Sequence, residues 1–211
     1  MLYGQIIKPL TLYTPERLTI ISYFLHPYMV KAVFGFQATE ITDTGIDLSN
    51  LKPAKERNLK EQLVNELSLE KRLGILNNFI LELYNQAYSD TPCGIIYASQ
   101  TIIKNKGLIS LPNIQKELQI TERTFQRMFE SYVGISPRMY SRICRFQAAF
   151  RQLNENQFSH LSDIAYEHDY TDHSHLTRTF KEFTGYTPKE YLRNTWQFLE
   201  LNEELKIKNV K

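Results

Sequence analysis

The second half of the chain is written twice. Residues 121–140, TERTFQRMFESYVGISPRMY, return in altered form as residues 172–191, DHSHLTRTFKEFTGYTPKEY. At a shift of 51, Arg127 matches Arg178, Phe129 matches Phe180, Gly134 matches Gly185, Pro137 matches Pro188 and Tyr140 matches Tyr191. Upstream the shift falls to 50, pairing Leu111 with Leu161 and Ile114 with Ile164, so the second copy holds one extra residue in its turn. A duplication of this length obliges the fold to contain one supersecondary unit twice.

Each copy has the pattern of helix, turn, helix. In the first, Leu111, Ile114 and Leu118 form an apolar stripe, and Thr121 stands where the next helix needs a cap. Phe125, Met128, Phe129 and Tyr132 then fall at i, i+3, i+4 and i+7, one face of a helix. Arg123, Gln126 and Arg127 take the opposite face. Gly134 supplies the positive φ that stops the helix, and Pro137 starts the next from a favoured first-turn position. The second copy buries Leu176, Phe180 and Phe183 and presents Ser174, Thr177, Arg178 and Lys181. The aromatic residues are expected in the core, holding the helices without touching a ligand. One polar helix face is most simply a solvated surface. Two copies with an arginine at the same place point instead to DNA, because Arg, Gln, Ser, Thr and His carry groups that read base edges and phosphates in the major groove.

The net charge of +2 over 211 residues makes no case for a nucleic-acid partner, but its distribution bears on one. Between Arg123 and Arg151 lie six arginines (Arg123, Arg127, Arg138, Arg142, Arg145, Arg151) against a single acidic residue, Glu130. Such a stretch suits a phosphate backbone, although a solvated helix face has the same composition. A hydrophobic content of 42% predicts a folded chain of one or two domains. Cys93 and Cys144 can form no disulfide framework and lack metal-ligand spacing. The chain shows no leader-like N-terminus and no apolar run near the roughly 20 residues that span a bilayer, so it is read as cytoplasmic, with no membrane partner.

Ahead of the repeat the signals are weaker. From Gln5 to Phe36, β-rich runs such as Leu18–Phe24 alternate with Pro9, Pro15 and Pro27, which predicts two or three strands packed on the helices that follow. Residues 54–67 and 69–87 have helical spacing, with Leu59, Leu63, Leu67, Leu73, Leu76, Ile80, Leu83 and Ala87 on one stripe and Ser68 as a cap. The turn formers of Tyr88–Gly94 suggest a domain boundary. After Trp196 comes a polar, Lys-rich tail.

These motifs together resemble the AraC/XylS family of bacterial regulators, over roughly residues 96–195. The marks are Arg-Met-Phe (127–129) and Gly-x-Ser-Pro-x-x-Tyr (134–140), then Asp163-Ile-Ala, Tyr170–Leu176, Arg178–Lys181 and Gly185-Tyr-Thr-Pro-x-x-Tyr191. Asp169 and Gln119 depart from the family's usual Gly in the turn, and Asp tolerates the left-handed conformation better than most residues. The resemblance implies a mainly α fold: a C-terminal double helix-turn-helix domain, two three-helix-type units joined by a connecting helix, after a small α+β N-terminal segment. The expected division is 1–90 for a partial sensor-like or oligomerisation domain, 91–195 for the DNA-binding domain with units at about 108–133 and 160–184, and 196–211 for the tail. Segments 27–36 and 40–48 resemble the end of a sensor domain whose β-barrel is largely absent, so effector control is not expected.

By matching positions, the resemblance implies DNA contacts from Thr121, Arg123, Thr124, Gln126, Arg127, His173, Ser174, His175, Thr177 and Arg178, with Arg142 and Arg145 of the connecting helix facing phosphate. That helix, about 137–152, is on the order of 24 Å long at 1.5 Å per residue, against successive major grooves about 34 Å apart. The expected partner is double-stranded DNA, with RNA polymerase and a second copy bound through the N-terminal part as further candidates. No cofactor is implied. His168, His173 and His175 suggest a metal, but residues two apart on a helix face different ways and no further ligand completes a site. A thiol-based enzyme is also weighed, as some proteins join this domain to a repair methyltransferase. Cys93 lacks the His-Arg neighbour such a site requires, and only nearby arginines favour Cys144, so no catalytic residue is expected. The rival reading is an interaction protein that modulates another regulator without binding DNA itself.

Overall fold

The computed structural model describes residues 1–9 and 21–194. The polar tail after Trp196 and residues 18–20 of the expected strand lie outside them. Contacts divide the chain into two compact units, Met1–Ile7 with Leu12–Cys144, and Lys8–Thr11 with Arg145–Lys211.

In the first unit, α1 (Met29–Phe34) and a 3₁₀ turn (Ala38–Ile41) precede α2 (Lys52–Glu56), α3 (Leu59–Asn65) and α4 (Leu69–Asp90). Two short strands, β1 (Leu2–Tyr3) and β2 (Gly45–Ile46), pair antiparallel with Leu2 opposite Ile46. Among the described residues this corrects the strands expected between Gln5 and Phe36. Residues 21–26 have no regular structure and 29–34 are helical. Met29 and Val30 are buried while Val33 and Phe34 pack on α4, and that i, i+1, i+4, i+5 spacing covers a helix face that an alternating strand could not form. The expected helix over 54–67 is likewise two helices, because Asn58 sits at φ 49 between them. Leu67, past the end of α3, is 90% exposed and leaves the predicted stripe. The remaining stripe residues pack as a helix face requires. Ala54, Leu59, Phe79 and Leu83 form one buried cluster, and Ser68 caps α4 by accepting from the Lys71 N–H at 3.4 Å. α4 continues through Asp90, so the chain breaks only at Thr91–Pro92.

The repeat is plain in the backbone. α5 (Cys93–Lys104), α6 (Leu111–Glu117) and α7 (Glu122–Val133) form the first helix-turn-helix unit, in which Ile95, Ile102, Ile114, Phe125 and Phe129 are all at most 1% exposed. α8 (Pro137–Asn154) begins at the expected proline and runs from the first unit into the second. There α9 (Leu161–Glu167) and α10 (His173–Thr184) repeat α6 and α7, and residues 188–194 are again helical. Phe146, Leu153, Ile164, Tyr170, Leu176 and Phe180 make the second core. Emptying such a site, as in Phe180→Ala, costs about 3–5 kcal/mol.

The turn between the paired helices is the same twice. Gln119 and Asp169 both adopt φ 54. The next amide closes the helix end each time, Ile120 N–H to Gln115 O at 3.1 Å and Tyr170 N–H to Ala165 O at 2.8 Å. Thr171 is therefore the extra residue of the second copy. Gly134 and Gly185 stop α7 and α10 at φ 92 and 82. A methyl group on Gly134 would also lie 2.8 Å from the Ala38 carbonyl oxygen, whereas one on Gly185 would meet only Pro9 at 3.6 Å. Both Gly→Ala variants suffer the left-handed strain of about 1–2 kcal/mol. Gly134→Ala should lower the urea midpoint clearly more than Gly185→Ala, and equal shifts would show that the approach of the 3₁₀ turn does not matter.

Candidate nucleic-acid interface

The two helices that end each unit share one construction. Thr121 caps α7, its Oγ1 accepting from the Thr124 N–H at 3.2 Å and donating to Thr124 Oγ1 at 3.0 Å. Asp172 caps α10 by accepting from the His175 N–H at 2.7 Å. With their aromatic faces buried, the other faces turn to solvent. On α7, Arg123, Thr124, Gln126 and Arg127 are exposed, as is Thr121 ahead of it. On α10, His173, Ser174 and Arg178 are exposed, and His175 and Thr177 are half-buried. Apart from Arg142 and Arg145 on α8, the sequence-predicted residues therefore gather as two sets, one at each helix. The short ion pairs among the described residues involve none of Arg123, Arg127 and Arg178.

Others of the candidates have protein partners as well. Gln126 Nε2 donates to Glu130 Oε1 at 3.0 Å, one turn further along α7. His175 Nδ1 accepts from the Thr171 N–H at 3.4 Å, and its ring stands edge-on to Tyr170 with centroids 5.2 Å apart. Arg145 on α8 donates to the Asp169 carbonyl at 3.2 Å, its guanidinium 4.9 Å from the Tyr170 ring centroid. Arg142, half-buried, lies 3.8 Å from Met139 Sδ. Glu130, Asp169 and Tyr170 were not among the sequence-predicted residues. The i, i+4 spacing of Gln126 and Glu130 was a usable signal for the first, while nothing linear connects residue 145 to residues 169 and 170.

His168 is set apart from the other histidines. It is 1% exposed, and its Nε2 donates to Gln152 Oε1 at 2.8 Å. Among the described residues no three His, Cys, Asp or Glu side chains gather as a metal ion would require. Cys93 is exposed; Cys144 is buried, and burial pushes its thiol up to about 11, so it is protonated at neutral pH. No helix among the described residues is long and apolar enough to cross a membrane.

Two capped helices of equal length, each ending a helix–turn–helix and each with a solvent-facing polar side, define a double helix-turn-helix arrangement. Residues 114–194 match the family described as a helix-turn-helix domain, the kind of module with which transcription regulators bind DNA. Among solved structures, ToxT from Vibrio cholerae is 18% identical at a TM-score of 0.44, the match covering 65% of this chain and 54% of that one. ToxT from Vibrio cholerae O395 is 16% identical at a TM-score of 0.44, with 69% of this chain and 57% of that one covered. The chain thus spans little more than half the length of these structures. No curated protein matches it.

The α10 cap is titratable. The backbone hydrogen bond from His175 holds the Asp172 carboxyl below the usual carboxylate range. A depressed carboxylate contributes stability above its unfolded value of about 4, and loses it as pH falls through the folded value. Acid titration of the wild type should therefore loosen α10 first in the region below about pH 4. Asp172→Asn caps without titrating and should lack that component; identical acid profiles for the two proteins would exclude it.

Proposed function

We propose that the chain is a sequence-specific DNA-binding transcription regulator that sets α7 and α10 into successive major grooves of one duplex. The observation that carries this reading is the repetition: twice, a capped 12-residue helix buries one face around a phenylalanine and turns polar residues outward, Arg123, Thr124, Gln126 and Arg127 on α7 and His173, Ser174 and Arg178 on α10. In this reading Thr121, Arg123, Thr124, Gln126 and Arg127 serve one subsite and His173, Ser174, His175, Thr177 and Arg178 the other, with Arg142 facing phosphate. The 18 residues of α8, about 27 Å at 1.5 Å per residue, act as the connector, so that one chain reads an asymmetric two-part site. Residues 91–195 act as the DNA-binding domain and 1–90 as a contact segment for a second copy. RNA polymerase is the further partner, and the site of action is the cytoplasm.

The test is gel shift and footprinting on genomic fragments across a salt series. Specific retention should fall steeply as salt rises, because phosphate contacts release counterions. Arg127→Ala with Arg178→Ala should abolish most of it. Gln126→Ala or Thr177→Ala should relax base preference at one subsite, by roughly 1–3 kcal/mol. Non-specific retention alone, unchanged by the double arginine variant, would sink this reading and leave an interaction protein that acts through another regulator.

A further inference from the structure

The register that aligns the two turns also aligns the helices behind them. Lys106 and Asn156 share φ 53, and the Gly107 N–H to Ile102 O bond recurs as Gln157 N–H to Gln152 O. At that shift of 50, Ile95, Ile102 and Leu118 of the first unit correspond to Arg145, Gln152 and His168 of the second. Where the first unit packs hydrocarbon, the second makes polar bonds. Gln152 accepts from His168 Nε2 at 2.8 Å and donates to Glu167 Oε2 at 2.6 Å and to Gln157 O at 3.0 Å. Arg145, two helical turns before Gln152 on the same face of α8, donates to Asp169 O and lies over Tyr170. These side chains grip residues 167–170, the turn that leads into α10. Tyr170 in turn meets the ring of His175 in the first turn of α10.

We propose that Arg145 is a positioning residue for the second recognition helix: by holding Asp169 and Tyr170 it sets His175 and the start of α10 against the DNA, and it does not itself bind phosphate. The proposal rests on the reading of α10 as a recognition helix. Its planar guanidinium, with one N–H committed to a carbonyl and one face over a ring, does what a lysine ammonium cannot, since the flat group stacks while it donates. A phosphate contact, by contrast, carries no sequence information, so its loss weakens every duplex alike.

The test is quantitative footprinting of the full chain on a genomic fragment retained by the wild type, beside a shuffled duplex of equal length. Arg145→Lys should weaken the specific fragment roughly tenfold, within the range of one lost bidentate base contact, and lose protection in one subsite only. Binding to the shuffled duplex and the slope against salt should stay as in the wild type. Tyr170→Phe keeps the ring and should bind as the wild type does. Tyr170→Leu should reproduce the Arg145→Lys pattern, and the double variant should be no worse than either single one. Wild-type footprints with Arg145→Lys would overturn the proposal. So would an Arg145→Ala variant that weakens both duplexes alike and flattens the salt slope by about one phosphate. Far-UV circular dichroism sets the temperature at which every variant is folded. If Arg145→Lys is unfolded throughout, Tyr170→Phe against Tyr170→Leu decides: a difference between them in the second subsite supports the proposal, and equal footprints overturn it. A wild type with no salt-sensitive specific footprint would instead refute the DNA-binding reading itself.

Discussion

Phe125 and Phe129 in the first unit, and Leu176 and Phe180 in the second, govern which way the polar residues of α7 and α10 face. A helix of 12 residues is marginal in water by its own propensity and owes its stability to the face it buries. Here that face meets other rings: Phe129 lies 5.4 Å from both Phe125 and Tyr140, and Phe180 lies 5.5 Å from Phe146 and 5.7 Å from Phe150. Such tilted and edge-on pairs fix rotation about the helix axis more tightly than aliphatic packing alone. Rotation is what matters for a helix that reads bases. Arg127 and Phe129 are two positions apart, so a turn of the helix that exposes the ring buries the guanidinium.

The caps and turns add the second constraint, which is where each helix begins. Thr121 and Asp172 fix the first turn by occupying free amide groups. Gln119 and Asp169 take a left-handed conformation that side chains adopt at some strain. That strain is tolerated because the following amide closes the preceding helix and the next apolar residue enters the core, as Tyr170 does at 3% exposure. The extra Thr171 is absorbed after this closure and before the cap, so it changes the approach to α10 without disturbing α9.

What the sequence made legible follows from the same physics. The repeat, both glycine stops, the Thr121 cap, the proline start of α8 and the buried stripes were all visible, because each is a local pattern seen twice. Residues 29–34 were misread as strand because short apolar runs carry no decisive period. Their identity as helix depends on α4 and α7, which supply the surface they cover. The break at Asn58 had a similar cause: the leucine spacing of residues 59 and 63 is helical on both readings, and only the backbone at residue 58 separates them. Candidate DNA-facing residues could be named by matching positions to the family the chain resembles. Their tethers could not, since Arg145 and Asp169 are 24 residues apart in sequence.

α7 is held by a different set of residues from α10, and this bears on how the chain divides. α7 packs against the 3₁₀ turn and α1, both from the N-terminal segment. Thr42 Oγ1 donates to Gly134 O at 2.8 Å, Lys31 bonds Ser131 and lies 4.5 Å from the Tyr132 ring centroid, and Ser131 donates to Gln37 at 2.7 Å. These contacts reach the C-terminal half of α7, beyond Arg123 and Arg127 along the helix axis. A helix gripped at its far end and capped at its near end has little freedom to tilt. The second unit reaches a comparable fixity from α8 by polar bonds to the turn. The two copies therefore share a backbone but not a support, and the N-terminal segment belongs to the architecture of the first helix-turn-helix as much as α5 does.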